Sequence, residues 1–83
     1  MDWMETAINE PIKACCLFSS GQIKPIFFLW QKKLYQIQKI VFQFSKKIGR
    51  EKVFYFSVET ETNACQLEFN SEKQTWKLLK IFS

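Results

Sequence analysis

The run Pro25-Ile26-Phe27-Phe28-Leu29-Trp30-Gln31-Lys32-Lys33-Leu34-Tyr35 constrains this chain more than any other. Every residue before Gln31 is apolar, and strand side chains alternate between two faces. Ile26, Phe28 and Trp30 therefore point one way, and Phe27 and Leu29 the other. Both faces of such a strand need a cover. The interior of a curled sheet would serve for one, and an N-terminal helix lid or a second subunit for the other. Lys32 and Lys33 follow at a tight turn, so the run reads as a hairpin with a basic tip.

With 83 residues, the chain is expected to form one domain, because a chain this short buries only about 60–65 % of its unfolded surface and cannot divide that between two cores. Nine Phe and an apolar content of 47 % set it apart from disordered sequences. The cysteines are Cys15, Cys16 and Cys65. Neighbours on a strand face opposite ways, so Cys15 and Cys16 cannot both meet Cys65, and no disulfide framework is expected. Without histidine or a Cys-x-x-Cys pair, the usual zinc ligand sets are absent, and no metal or cofactor is expected. The cysteines then read as buried free thiols, which suggests the cytoplasm. Asp2, Glu5 and Glu10 interrupt any N-terminal apolar run, so neither a signal peptide nor a membrane span is expected.

Asp2-Trp3-Met4-Glu5 resembles a capping box, and residues 3–9 fit a short helix ending before Pro11, with a frayed tail (residues 1–10) as the alternative. Residues 11–83 read as a single β domain. Residues 12–18 and 24–31 are the first two strands, separated by a turn in which Gly21 takes a positive φ. Pro25 lacks an amide donor and belongs at a strand start or a bulge. A third strand begins at Lys33 or Leu34. Tyr35 and Ile37 share one face, but Ile40, Phe42 and Phe44 continue in the opposite phase, so a bulge is expected near Gln38-Lys39. A helix over residues 36–47 also fits the spacing.

Residues 45–52 read as a polar loop. Phe54, Phe56 and Val58 alternate as a half-buried strand, a turn at Glu61-Thr62-Asn63 places Asn63 in the left-handed region, and Cys65, Leu67 and Phe69 alternate again. In the last strand Trp76 and Leu78 face away from Leu79 and Ile81, which implies a second bulge or two covered faces. The fold class is mainly β: an antiparallel meander of five to six strands curled into a small open barrel or bent sheet.

Glu10-Pro11-Ile12, Gly21, Pro25, Phe28-Leu29-Trp30, Tyr35-Gln36-Ile37, Phe56-Ser57-Val58-Glu59-Thr60, Leu67 and Trp76-Lys77-Leu78 follow a recognisable order. Over residues 10–82 the chain resembles a small bacterial domain of unknown function that, in some homologues, is appended to Y-family polymerase-like ImuB proteins. The resemblance implies a compact all-β domain with a link to DNA metabolism, and it carries no catalytic residues. The chain departs from that pattern at the hairpin turn, where the family tends to have Gly-Arg and this chain has Lys32-Lys33. A lysine at positive φ is disfavoured.

Enzymatic chemistry is not expected. General acid–base work near neutral pH usually falls to histidine or a pocketed carboxylate, and the only Asp is Asp2. Glu59, Glu61, Glu68 and Glu72 cluster near one hairpin, where Glu59 and Glu68 facing outward on neighbouring strands are a conceivable carboxylate pair or, more simply, a solvated acidic edge. The net charge of +4 is unevenly spread: residues 22–58 hold eight Lys or Arg against Glu51 alone. Lys32, Lys33, Lys46, Lys47, Arg50 and Lys52 would form one basic patch if the turn and the 45–52 loop are neighbours. Tyr35, Tyr55 or Trp30 would then supply a stacking surface for unpaired bases. The same lysines also serve any soluble sheet as protection of its edges. The chain therefore reads as a non-enzymatic interaction module, monomeric or homodimeric, whose partner is nucleic acid or protein.

Overall fold

The computed structural model describes residues 4–82. These form six strands, β1 (Glu5–Ser19), β2 (Gln22–Trp30), β3 (Lys33–Ile48), β4 (Glu51–Thr60), β5 (Ala64–Asn70) and β6 (Thr75–Phe82). Consecutive strands pair antiparallel and β6 returns to pair with β1, so the meander closes into a ring. No helix long and apolar enough to cross a membrane is present among the described residues.

The short N-terminal helix is not formed. β1 begins at Glu5, which lies opposite Phe82, and Lys80 Nζ sits 2.7 Å from the Glu5 carboxylate. Pairing with β6 satisfies backbone groups that an isolated two-turn helix would satisfy only marginally. Asp2 and Trp3, the expected cap and first facial residue, lie outside the described residues. Residues 36–47 are strand throughout. The expected 45–52 loop shrinks to the turn at Gly49 and Arg50, because β3 and β4 pair out to Ile48 and Glu51.

Bulges set which residues face the interior. In β3 the register slips at Gln38, so Tyr35, Ile37 and Ile40 all pack against the core. In β6 the extra residue is Leu79, which brings Ile81 back to the face of Trp76 and Leu78. In β2 the slip falls at Ile26, beside a fully buried Pro25 whose missing N–H would interrupt a regular ladder. The resulting core is built from Phe28, Phe56, Val58, Cys65, Leu67, Phe69, Trp76 and Leu78. Phe28 stacks on Tyr35 with centroids 5.0 Å apart. Phe27 and Leu29 point away from this core, onto an outer face that no helix among the described residues covers.

The three cysteines are free. Cys65 is buried in the core, and desolvation pushes its thiol up to about 11. Cys16 is half-buried and also raised, by desolvation first and then by the neighbouring Cys15. Cys15 contradicts the expectation of burial: alternation turns it outward beside an inward Cys16, and it is exposed.

Three tight turns explain the hairpins. Ser20 and Gly21 both have positive φ, as a two-residue turn matched to strand twist requires. At Gly49 only the first turn residue is left-handed. The β2–β3 turn is Gln31-Lys32, with φ of 52° and 62°, so two side-chain-bearing residues occupy a region that favours glycine and asparagine. Gln31→Asn with Lys32→Gly is accordingly expected to stabilise the fold by about 1–2 kcal/mol. Thermal unfolding followed by circular dichroism should then rise by about 5–10 °C. An unchanged midpoint would show that the turn is unstrained. Asn63 is not left-handed. Instead the Thr60 hydroxyl accepts from the Asn63 and Thr62 amides and donates to the Asn63 carbonyl, organising that turn from its first residue.

Candidate nucleic-acid interface

The β3–β4 hairpin carries the densest combination of cations and exposed aromatics. A second register slip in β3, at Val41, shifts the alternation once more. From there Gln43, Ser45 and Lys47 follow the inner face, opposite Phe56, Phe54 and Lys52, while Phe42, Phe44 and Lys46 follow the outer face, opposite Ser57, Tyr55 and Val53. Phe42 is 59 % exposed and Phe44 36 %.

On the outer face Phe44 stacks on Tyr55, with centroids 4.9 Å apart and planes 17° from parallel, and Phe42 leans on Phe44 at 5.6 Å. Lys46 Nζ caps both partners of the stack, 5.9 Å from the Phe44 centroid and 5.8 Å from that of Tyr55. Desolvation, followed by the Glu68 carboxylate opposite, holds the Tyr55 hydroxyl protonated to a higher pH than usual. On the inner face Lys47 and Lys52 stand directly opposite each other, and Lys52 Nζ lies 5.2 Å from the Phe54 centroid. Like charges in cross-strand register are mutually destabilising unless an anion lies between them. The nearby Glu51 is already engaged: it accepts from Asn70 Nδ2 at 3.0 Å and lies 3.7 Å from Lys73 Nζ.

The structure therefore gathers Lys46, Lys47, Arg50 and Lys52 at one hairpin end. It does not bring Lys32, Lys33 and Tyr35 to them. These lie at the opposite end of β3, at the β2–β3 turn where β3 pairs with β2, whereas the others flank the β3–β4 turn. The single basic patch is thus corrected to two separate groups. Tyr35 is also occupied: it stacks on Phe28, and Lys33 Nζ sits 5.5 Å from its centroid. Trp30 is half-buried, and its indole donates to Glu10 at 3.1 Å. Of the three suggested stacking residues only Tyr55 lies toward the basic end of the hairpin.

Phe42 and Phe44 were missed by sequence reasoning because one bulge leaves them on the core side with Ile40. A signal did exist: three apolar residues in a row, Ile40-Val41-Phe42, cannot all serve a two-fold alternation. The carboxylate pair does not assemble, since Glu59 lies opposite Ala64 and Glu68 opposite Tyr55. No group of three or more His, Cys, Asp or Glu stands within metal-binding reach among the described residues. No protein-family model matches the chain, and no curated protein or solved structure shows significant similarity to it.

Proposed function

We propose that the chain is a non-enzymatic interaction module whose β3–β4 hairpin binds unpaired nucleic acid. The observation that carries this is the outward aromatic row Phe42, Phe44 and Tyr55 with Lys46 above it. Aromatic faces accept bases without regard to sequence, and lysines beside them track the phosphates. The unrelieved Lys47–Lys52 pair adds a place where a phosphate lowers the energy of the free protein. Such a role agrees with the link to DNA metabolism that the family resemblance implies.

The test is a titration of a fluorescently labelled, mixed-sequence single-stranded oligonucleotide, read by anisotropy at low salt. Phe44→Ala should weaken binding by about 5- to 100-fold, since stacking contributes about 1–3 kcal/mol per base. Affinity that is unchanged in this variant, or absent in the parent chain, sinks the assignment.

A homodimeric protein-interaction domain is the second reading, favoured by one observation. Leu17, Leu29 and Leu34 are 56 %, 41 % and 57 % exposed on the outer face of β1, β2 and the start of β3, around a half-buried Phe27. An oligonucleotide titration without binding would leave this apolar face as the better-supported interaction surface.

A further inference from the structure

One edge of β3 lacks a partner. β2 pairs with β3 only through residues 33–36, and from Ile37 onward β3 pairs with β4 alone. In an antiparallel ladder about half of the N–H and C=O groups of such a segment point to the side away from its neighbour. The bulges at Gln38 and Val41 roughen the first part of this edge, but residues 42–48 keep an uninterrupted register with β4. The facing bank of β2 is poorly suited to close the gap, because it carries Pro25, which has no N–H, and the bulged Ile26. Between the two banks lies a notch of about 140 Å³, lined by Gly21, Gln22, Ile23, Gln43, Phe54 and Phe56 among others.

We propose that this edge takes an extended acidic segment of another polypeptide as an added strand, with one apolar side chain of that segment seated in the notch over Phe54 and Phe56. Only a peptide backbone offers alternating donors and acceptors at strand spacing, so the edge selects a polypeptide rather than a phosphate chain. Charge selects its composition. The open part of β3 carries Lys39, which faces Glu59 of β4, and then Lys46 and Lys47, with no acid of its own, and the facing bank of β2 contributes Lys24, also with no acid. Two copies of the chain laid edge to edge would oppose their own lysines, the arrangement by which edge lysines block self-pairing. An acidic strand turns the same lysines into attractions. This edge shares Lys46 and Lys47 with the aromatic face assigned to nucleic acid, and Phe44 also lines the notch, so a strand and an oligonucleotide would compete for the hairpin and are told apart by which of them protects the edge amides.

The probe is the capped peptide Glu-Val-Glu-Ile-Glu-Val-Glu, compared with the same peptide carrying Lys for Glu and with an acidic version N-methylated at alternate amides. Nuclear magnetic resonance should show the acidic peptide shifting and protecting the amides of residues 42–48. It should bind at least about tenfold more tightly than either comparison peptide. The doubly reversed variant Lys46→Glu, Lys47→Glu should exchange this preference and favour the Lys peptide. Undiminished binding of the N-methylated peptide would overturn the proposal, because charge alone would then explain it. So would protection elsewhere in the chain, no binding at about 1 mM peptide, or protection of these edge amides by an oligonucleotide instead of the peptide.

Discussion

Phe28→Ala is expected to cost about 3–5 kcal/mol, whereas Phe42→Ala should cost less than about 1 kcal/mol. Phe28 is 0 % exposed, stacks on Tyr35 and stands among the eight residues of the central cluster. Truncating it removes a whole ring's burial and leaves a cavity in a closed sheet that has little freedom to collapse. A domain of this size holds only several kcal/mol in total, so a large unfolded fraction should appear without denaturant. Phe42 lies on the outer face, more than half exposed and leaning on Phe44, so its loss exposes little that was hidden. Urea unfolding followed by circular dichroism gives both values. Similar destabilisation by the two substitutions would place Phe42 inside the ring and would remove the second β3 bulge from the structure.

The double reversal Lys46→Glu, Lys47→Glu should weaken binding of the mixed-sequence oligonucleotide by about 10- to 100-fold at low salt. It should also reduce the slope of log affinity against log salt by about 1.4, because each neutralised phosphate on a single strand contributes about 0.7. The matching reversal Lys32→Glu, Lys33→Glu should leave both quantities nearly unchanged, since these lysines stand at the far end of β3. Both variants move the net charge equally, so the comparison separates a local site from general attraction to a basic protein. Equal weakening by the two pairs would show that net charge, and not the hairpin, governs binding.

Most of the strand framework is legible along the chain. The alternation of Phe54, Phe56 and Val58 and of Cys65, Leu67 and Phe69 marks β4 and β5 directly, and all six residues point as expected, with Phe54 half-buried and the rest buried. Gly21 marks its turn. The phase break after Ile37 allows a bulge or a helix, and the double-faced pattern of Trp76 to Ile81 a bulge or two covered faces; the structure has a bulge in each, at Gln38 and at Leu79. The helix expected over residues 3–9 is lost because its residues have a better partner in β6, which lies more than sixty positions away and is invisible to local propensity. The acidic pair Glu59 and Glu68 fails for a similar reason: whether two outward residues meet depends on register, and register is a property of two strands together.

The sequence by itself determined that this chain is mainly β, where the cores of most of its strands lie, and that its positive charge concentrates in the middle third. Those features follow from alternation, turn chemistry and counting, all of which act over a few neighbouring residues. Only the tertiary structure decided which lysines stand together and which aromatics meet water. β3 must pair with β2 at its start and with β4 for the rest, and it makes that change of partner through two bulges rather than one. The second bulge turns Phe42 and Phe44 outward, the length of the strand holds Lys32 and Lys33 apart from the hairpin tip, and the change of partner leaves one edge of β3 open.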